Sequence, residues 1–227
     1  MAIERLPHPP QLFLLDDGFS HLALDRDLDL LAFPASDPFG GGRLAPSGRL
    51  REPLAAAARA DAVVLTGLDL ATNLERSGAR LAAALAPHGF TGPGFGSRLV
   101  ARAPRLATGR PLPATARVLL VAGIARPDRF FASARRAGLE VAGELVFADH
   151  HHYPPESLEA IRRAATAARA DAVLTTEKDR VKLAGRLSLP LAELPVRAEP
   201  QAALWRWLDA RLAGLATAAT ADDGRPR

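Results

Sequence analysis

The sequence has no cysteine and only two lysines, Lys178 and Lys182, among its 29 basic side chains. The absence of cysteine excludes disulfide bonds, thiolate zinc sites and a cysteine nucleophile. No apolar run approaches the roughly 18 residues that a membrane-spanning helix requires. With 48% apolar and 24% charged residues, the 227-residue chain has the composition of an ordinary globular protein with one large domain or two small ones.

Aromatic residues are also scarce, at 5% of the chain, although the net charge is +4. Surfaces that bind nucleic acids combine clustered basic residues with aromatic side chains that stack on bases. The arginines of this chain are scattered along the sequence, so we expect no nucleic-acid partner. Anionic partners such as phosphates or acidic lipid surfaces remain open.

The order of apolar segments predicts an α/β protein built on parallel sheets. Short apolar runs that alternate with helix-periodic segments are typical of strand–helix–strand units with right-handed crossovers. The Gly/Pro-dense region 87–113 predicts a boundary between a domain at 1–97 and a smaller α/β domain at 112–215, and residues 216–227 predict a disordered tail. Predicted strands cover residues 12–15, 28–33, 62–65, 118–122, 141–147 and 172–174, and predicted helices cover residues 54–60, 77–87, 127–137, 157–168 and 205–212.

Polar residues follow five of the predicted strands at their carboxyl ends. Ligands of parallel α/β proteins bind outside this end of the sheet, so five such clusters predict a functional site there. The clusters occupy residues 16–17, 66–67, 123–126, 149–153 and 175–179.

Asp16 and Asp17 follow the first predicted strand, as the acidic pair of a Walker B element does. In such elements one carboxylate holds Mg²⁺ and its neighbour orients polar groups near the γ-phosphate of a nucleotide. The same residue types are also favoured in a strand-end turn without any chemistry. Both interpretations stay open on these two residues alone.

His150, His151 and His152 are consecutive, which argues against a shared zinc ion. Neighbouring side chains of a strand point to opposite faces, and the H-x-x-x-H and H-E-x-x-H spacings of zinc sites are absent from the sequence. A single histidine oriented by a carboxylate in a catalytic cleft suits this loop better. For His152 we favour a solvated loop position.

Two further segments have both a functional and a structural interpretation. Residues 175–179 contribute polar groups to the sheet edge, or they begin a helix with Thr176 as N-cap and acidic residues that offset the helix dipole. The arginines of the glycine-rich segment either bind a phosphate or face solvent. These arginines are Arg43, Arg49 and Arg51.

Two well-known catalytic motifs are missing from the 227 residues. No G-x-S-x-G follows a strand, which excludes the serine nucleophile of an α/β-hydrolase. A phosphate-binding P-loop needs Gly-Lys-Ser/Thr, whereas Lys178 follows Glu177 and Lys182 follows Val181. The sequence therefore contains no P-loop lysine.

Six segments, in this order, resemble those of the tetraacyldisaccharide 4′-kinase family, the lipid A 4′-kinases of Gram-negative bacteria. The resemblance extends to Leu212, and the combination is far more specific than any single motif. The segments are DDGFSH at 16–21, RDLD at 26–29, FGGGRL at 39–44, PSGRLREP at 46–53, FADHH at 147–151 and TTEKD at 175–179.

The resemblance implies an α/β fold with an incomplete P-loop NTPase-like parallel-sheet domain followed by a smaller α/β domain. It implies ATP-dependent phosphorylation of the 4′-hydroxyl of a tetraacylated glucosamine disaccharide 1-phosphate, which gives lipid IVA in lipid A biosynthesis. The implied cofactors are ATP and Mg²⁺. The implied location is the cytoplasmic face of the inner membrane, in peripheral contact with it.

The resemblance also assigns candidate site residues by position. Asp16 and Asp17 resemble the family's Walker B pair, which serves Mg²⁺ and the nucleotide, and Asp17 is a candidate catalytic residue. His150 resembles the histidine that orients and tunes the family's catalytic aspartate, and it is the second catalytic candidate. Arg51 and Glu52 lie in the R-E-P segment that lines the family's active-site cleft, so we expect them to help bind the nucleotide.

The sequence departs from the family pattern at several points. Ser20 stands where the family usually has Gln, and Gly41 stands where Asn is common. In the family a long segment with the membrane-associating helix, the Walker A loop and the general base precedes the D-D-G motif, whereas 15 residues precede Asp16 here. We therefore expect the C-terminal two-thirds of a lipid A 4′-kinase, inactive alone. The alternative is a non-catalytic binding module, or a half-enzyme that needs a separate P-loop chain.

Overall fold

The computed structural model describes residues 12–222, with side chains up to residue 217, and the chain forms two compact units. The first unit consists of the chain up to Arg98 together with the segment from Glu199 onward, and the second is Leu99–Ala198. The strands are β1 (Leu30–Pro34), β2 (Ala62–Leu68), β3 (Gly94–Ala101), β4 (Arg105–Leu106), β5 (Arg117–Ala122), β6 (Glu140–Val146), β7 (Ala172–Thr175), β8 (Leu191–Glu193) and β9 (Val196–Pro200). The helices are α1 (Leu74–Leu85), α2 (Pro127–Arg136), α3 (Pro155–Ala168), α4 (Glu177–Leu183) and α5 (Ala202–Asp222), and short 3₁₀ segments occur at Gly40–Gly42, Leu54–Arg59 and Ala86–His88.

The first unit is built on a four-stranded sheet in the order β1-β2-β3-β9. Strands β1, β2 and β3 run parallel, and Leu30 of β1 lies opposite Ala62 of β2. Helix α1 connects β2 to β3. Its first turn is capped by the Asn73 side chain, which accepts a hydrogen bond from the Arg76 backbone N–H at 2.8 Å.

Alternate residues of β2 supply the cores on the two faces of this sheet, as the two-residue period of a strand requires. One core combines the sheet with α1 and the 3₁₀ segment Leu54–Arg59; its buried residues are Phe33, Ala57, Ala60, Val63, Leu81, Leu85 and Phe90. The other core lies against α5; its buried residues are Ala62, Val64, Phe95 and Leu204. The rings of Phe95 and Trp207 are 5.8 Å apart in that second core.

The second unit is built on a five-stranded sheet in the order β4-β8-β7-β5-β6. Strands β6, β5, β7 and β8 run parallel, and β4 pairs antiparallel at the edge. The central strand β5 is buried on both faces. Val118, Leu120 and Ala122 pack with the phenylalanines of α2, whereas Leu119 and Val121 pack with α3. Fully buried apolar strands of this kind are typical of parallel sheets covered by helices.

The predicted fold class is confirmed, because both sheets contain parallel strands that alternate with helices. Strands predicted at 62–65, 118–122, 141–147 and 172–174 correspond to β2, β5, β6 and β7. Strand β3 was not predicted. Its sequence, GFGSRLVA, lies within the Gly/Pro-dense region 87–113, where glycine hides the strand signal.

The strand predicted at residues 12–15 is wrong. Within residues 12–222 no strand pairs with this segment, and its side chains are exposed, Leu14 by 88%. An apolar run forms a stable strand only where a neighbouring strand satisfies its backbone groups.

The predicted domain limits also differ from the structure at the carboxyl side. Residues 199–215 were assigned to the second domain, but they belong to the first unit, because α5 packs on β2 and β3 through Leu204 and Trp207. Helix α5 continues to Asp222, beyond the predicted end at residue 212 and into the predicted tail, since residues 213–222 are rich in alanine, the best helix former. The last part of that predicted tail, residues 223–227, lies outside the described residues.

No helix in the described range, residues 12–222, combines the length and the apolar character needed to cross a bilayer.

Helix α1 and strand β3 approach each other closely because glycines face glycines. A Cβ on Gly78 would lie 2.5 Å from the carbonyl oxygen of Gly94, and a Cβ on Gly94 would lie 2.1 Å from the carbonyl oxygen of Gly78. Both contacts are with backbone atoms, which cannot move aside as a flexible side chain can. Glycine at these two positions therefore sets the distance between helix and sheet.

We expect Gly78→Ala to destabilise the first unit by about 1–3 kcal/mol, because the added methyl group overpacks this contact. That cost exceeds the roughly 1 kcal/mol by which alanine is favoured over glycine inside a helix. Urea unfolding followed by tryptophan fluorescence measures the change, since both tryptophans lie in α5.

Gly214→Ala in α5 is the matched control for this substitution. Apart from its own helix backbone, no atom lies within 4 Å of the Cβ that alanine would add. The same change should therefore stabilise the chain by up to about 1 kcal/mol. A Gly78→Ala variant as stable as the native chain would contradict the close packing of α1 on β3.

Candidate functional site

Asp16 and Asp17 form an exposed turn and do not end a strand. The backbone of Asp17 is in the left-handed region, with φ of 57°, which aspartate adopts more readily than most residues. Asp16 makes no hydrogen bond or ion pair within the described part of the chain. Its carboxylate is therefore open to a ligand.

Asp17, in contrast, is held by Arg51. The guanidinium Nη1 of Arg51 donates a hydrogen bond to Oδ2 of Asp17, and this bond, together with the carboxylate's charge, raises the pKa of Arg51. The two side chains are 73% and 69% exposed, so the ion pair lies at the surface. The structure thus brings together two residues that the sequence placed in the same site, 34 positions apart.

Glu52 connects to the same segment through a second set of bonds. Ser20 Oγ donates to Glu52 Oε1 at 2.6 Å, and Arg59 Nη2 donates to Glu52 Oε2 at 2.7 Å. The Arg59 guanidinium also lies 4.7 Å from the centre of the Phe19 ring. The hydrogen bond from Ser20, followed by that from Arg59, lowers the pKa of Glu52, so the side chain is a carboxylate at neutral pH. Residues 17–20 are therefore tied to residues 51–59 at three points.

Arg26 organises the turn that follows, a role the sequence did not reveal. Its guanidinium donates to both carboxylate oxygens of Asp29, at 2.7 and 3.2 Å, and this pairing raises the pKa of Arg26. It also donates to the backbone carbonyls of His21 at 2.7 Å and Leu24 at 2.9 Å. Arg26 and Asp29 belong to the RDLD motif, whose i, i+3 spacing of opposite charges was the available signal. Arg59 lies outside every motif and offered no signal.

The glycine-rich segment contains the three arginines that are candidates to bind a phosphate. Arg51 pairs with Asp17, as described, and Arg49 forms an ion pair with Asp37. The exposed side chain of Arg43 makes no hydrogen bond or ion pair with any other described residue. Of the three, Arg43 is therefore the one open to an anion in this arrangement.

No group of three or more His, Asp or Glu side chains within residues 12–222 is arranged to hold a metal ion. Mg²⁺ at nucleotide sites does not need such a group, because it uses one or two carboxylates and takes its other ligands from water and phosphate oxygens. The open carboxylate of Asp16, next to Asp17, fits this donor set. These two carboxylates therefore suit a Mg²⁺ ion that also binds a phosphate group.

His150 lies in the second unit, in the loop that follows β6. Its side chain is 87% exposed, and Nε2 lies 3.8 Å from Oδ2 of Asp149. Its neighbour His151 is engaged instead: the ring stacks on Phe147 with centroids 4.7 Å apart, and Nε2 shares a hydrogen bond of 2.7 Å with Ser157 Oγ. His150 is thus the histidine of this pair whose ring is available to a ligand.

The matching family model is described as tetraacyldisaccharide-1-P 4′-kinase, LpxK, and it covers residues 1–213. A tetraacyldisaccharide 4′-kinase of Geobacter metallireducens is 41% identical over 194 residues, which cover 83% of this chain and 53% of that protein. A tetraacyldisaccharide 4′-kinase of Anaeromyxobacter sp. (strain K) is 40% identical over 222 residues, which cover 94% of this chain and 57% of that protein. The chain thus spans about half the length of the curated relatives it matches.

A solved structure is also similar to this chain. The "apo" form of LpxK from Aquifex aeolicus, crystallised in complex with ATP, matches with a TM-score of 0.61 and 27% sequence identity. The match covers 93% of this chain and 60% of the Aquifex chain.

Because the pKa of Glu52 is lowered, its contribution to the free energy of unfolding depends on pH. A carboxylate whose folded-state pKa lies below its ordinary value of 4.5 stabilises the fold above that pH, and the stabilisation is lost as the pH falls through the folded-state pKa. We expect Glu52→Gln to lower the free energy of unfolding by up to about 1 kcal/mol at pH 7, with the difference shrinking below pH 4.5. Urea unfolding of both proteins between neutral and acid pH measures this.

Two serine variants test the cause of that pH dependence. Ser20→Ala removes the hydrogen bond that lowers the pKa of Glu52 most, so it should reproduce part of the pH dependence. Ser47→Ala is the matched control, because Ser47 is exposed and its hydroxyl makes no hydrogen bond within the described residues. A Glu52→Gln effect that is constant with pH would contradict the assignment.

Proposed function

The chain belongs to the tetraacyldisaccharide-1-P 4′-kinase family, and on this basis we propose that it acts in ATP-dependent phosphorylation of the 4′-hydroxyl of a tetraacylated glucosamine disaccharide 1-phosphate. The product is lipid IVA, an intermediate of lipid A biosynthesis. Relatives of that name, 38–43% identical to this chain, support the proposal. The ATP complex of the similar Aquifex LpxK supports ATP as the phosphate donor.

The observation that carries the proposal is the arrangement of Asp16 and Asp17. Two adjacent carboxylates stand in an exposed turn, with Asp16 open and Asp17 oriented by Arg51. When bound with ATP, Mg²⁺ supplies positive charge that offsets the charge of the β- and γ-phosphates. Asp16 and Asp17 are the residues that would hold the Mg²⁺ ion. Arg51 and Glu52 contact the same turn and would orient this turn toward the nucleotide.

For His150 we propose a supporting role in proton transfer. The 4′-hydroxyl must lose its proton as it attacks phosphorus, and a base positioned by a neighbouring side chain takes that proton. The exposed ring of His150 and the adjacent Asp149 carboxylate, 3.8 Å from Nε2, are suited to orient such a base and to tune its pKa.

The proposed acceptor carries four acyl chains, so we also propose peripheral contact with the cytoplasmic face of the inner membrane. Support comes from exposed apolar side chains beside the acidic turn. Exposed apolar patches are typical of surfaces that meet lipid or protein. They include Leu12, Phe13, Leu14, Leu22 and Leu24.

A second candidate function follows from one observation, the absence of Gly-x-x-x-x-Gly-Lys-Ser/Thr from the 227 residues. A P-loop lysine contacts the transferred phosphate in P-loop kinases. The chain would then act as a binding module, or as half of an enzyme whose P-loop is on a separate chain.

The test is a transfer assay with the purified 227-residue chain, Mg²⁺, radiolabelled ATP and the tetraacyldisaccharide 1-phosphate in detergent micelles. Calorimetric titration with Mg²⁺ and ATP runs in parallel. We expect Asp16→Asn and Asp17→Asn each to weaken the binding of Mg²⁺ and ATP by at least about tenfold, and to lower any phosphate transfer by as much, because each removes a negative charge from the Mg²⁺ site. Asp27→Asn is the matched control, since Asp27 is exposed and its side chain makes no hydrogen bond or ion pair within the described residues.

The two measurements separate the candidate functions. Transfer to the 4′-hydroxyl supports the kinase. Binding of Mg²⁺ and ATP without transfer, weakened by the Asp16 and Asp17 variants, supports the binding module, and transfer restored by an added P-loop chain supports the half-enzyme. A chain that neither transfers phosphate nor binds the nucleotide would refute all three.

A pair of histidine variants tests the second unit in the same assay. Wherever the chain, alone or with an added P-loop chain, transfers phosphate, we expect His150→Ala to reduce the transfer rate by about tenfold to a hundredfold with little change in KM, because His150 acts on proton transfer and not on ground-state binding. His152→Ala is the control, since the exposed His152 side chain makes no hydrogen bond within the described residues and the backbone carbonyl, which accepts from Arg186 at 3.5 Å, is retained. Equal losses in both variants would contradict the special role of His150.

A further inference from the structure

We propose that Asp179 is a positioning residue that holds the His150 loop in place through the backbone of Gly123. The importance of that loop rests on the function proposed for His150. The positional role itself rests on hydrogen bonds, burial and close contacts within the second unit.

The first step is the placement of Asp179. It lies in the first turn of α4, where Thr176 is the N-cap and its Oγ1 accepts a hydrogen bond from the Asp179 backbone N–H at 3.2 Å. The Asp179 side chain is completely buried, and its Oδ1 lies 3.3 Å from Nζ of Lys182. A buried carboxylate needs such partners, since burial without them is strongly unfavourable. The Thr176 hydroxyl also donates to Oδ2 of Asp179 at 3.2 Å, so the cap helps to orient the carboxylate.

The second step is the bond from this carboxylate to the end of the central strand. Oδ2 of Asp179 accepts a hydrogen bond from the backbone N–H of Gly123 at 2.8 Å, directly after β5 ends. The carbonyl of the same residue, Gly123, accepts a hydrogen bond at 3.2 Å from the backbone N–H of His150, which also donates to Oδ1 of Asp149 at 3.0 Å. One peptide segment therefore links Asp179 to His150 by two hydrogen bonds in series.

The third step is the lack of space around Gly123. A Cβ at this position would lie 2.8 Å from the Tyr153 hydroxyl oxygen and 3.2 Å from Cβ of His151. Glycine allows the His150 loop to lie directly against the end of β5. The loop and the strand end thus fit together only in this close arrangement.

The fourth step is the unusual backbone of the loop. His150 and Tyr153 both adopt left-handed conformations, with φ of 60° and 53°. Such conformations are uncommon for residues other than glycine and persist where surrounding contacts hold them. Here His151 and Tyr153 are anchored against Phe147, with Tyr153 fully buried, while the side chain of His150 is 87% exposed. The anchoring contacts therefore hold the backbone that carries the exposed His150 side chain.

Tyr153 also shares its surroundings with Asp179. Burial raises the pKa of the Tyr153 phenol, and the negative charge of Asp179 raises it further, so the hydroxyl is neutral at any working pH. The pair combines one buried negative charge, balanced by Lys182, with one neutral hydroxyl against Gly123.

The test is amide hydrogen exchange by NMR on the complete 227-residue chain, which reads the position of the loop without any assay of activity. We expect Asp179→Ala to speed exchange at Gly123 and His150 by at least about tenfold, with the core amides of β5 unchanged. Asp179→Asn should stay within about threefold of the native chain, because its side-chain oxygen can still accept the bond from Gly123.

Asp171→Ala is the matched control. Oδ2 of Asp171 accepts a hydrogen bond from the Arg117 backbone N–H at 2.8 Å, the same kind of bond at the opposite end of β5. Its loss should speed exchange at Arg117 and leave His150 unchanged. If Asp179→Ala leaves His150 exchange unchanged, or if it speeds exchange throughout the second unit, the positioning role is wrong.

A second pair of variants decides the matter if Asp179→Ala does not fold. Gly123→Ala should speed exchange at His150 by at least about tenfold, since its methyl group displaces the loop. Tyr153→Phe in the Gly123→Ala background removes the oxygen atom at 2.8 Å and should reverse a large part of that change. An absence of change in Gly123→Ala, or of recovery in the double variant, would overturn the proposal. Loss of phosphate transfer plays no part in these readouts, so the proposal and the proposed function can fail separately.

Discussion

The parallel pairing of β5 with β6 on one side and β7 on the other is the constraint on which the second unit depends. Parallel strands end at the same edge, so the segments after β5, β6 and β7 meet there whatever their sequences are. Burial of β5 on both faces fixes this edge firmly, because the strand cannot shift without disrupting two cores. The Asp179–Gly123–His150 bonds are a consequence of that geometry, and they convert a general property of parallel sheets into a defined position for one side chain.

The acidic turn of the first unit is held in a different way. Its contacts to residues 51–59 are ion pairs and hydrogen bonds between largely exposed side chains, which contribute little in water because solvent screens them. The first unit therefore holds its acidic turn loosely, whereas in the second unit a buried carboxylate and a buried tyrosine hold the backbone of the His150 loop.

Most of the repeating structure could be predicted from the sequence, because short apolar runs and helix-periodic segments describe β2, β5, β6, β7 and α3 directly. Strand β3 was missed because it is rich in glycine. Its glycines allow close packing against α1, and this requirement is visible only when both elements are in place. The apolar run at 12–15 shows the reverse error: local sequence favours a strand, but pairing decides whether one forms.

The candidate site shows the same division between local and long-range information. The acidic pair, the R-E-P segment and the histidine loop were visible as motifs, and the family resemblance was confirmed by the comparisons. Arg59 and its contacts with Glu52 and Phe19 were not visible, because a single arginine at the end of an alanine-rich segment carries no pattern. The bond from Asp179 to Gly123 joins residues 56 positions apart, and no spacing rule predicts it.

The scarcity of lysine has a consequence once the position of α4 is known. Lys178 and Lys182 are the only lysines, and both lie in this helix, Lys178 exposed and Lys182 against the buried Asp179 carboxylate. Reagents that modify amines therefore encounter two different lysine side chains. Lys178 is solvated, whereas Lys182 lies beside the buried carboxylate of Asp179. The reactivity of Lys182 relative to Lys178 is a built-in chemical probe of whether the interior of the second unit is intact, and the many arginines of the chain do not interfere with it.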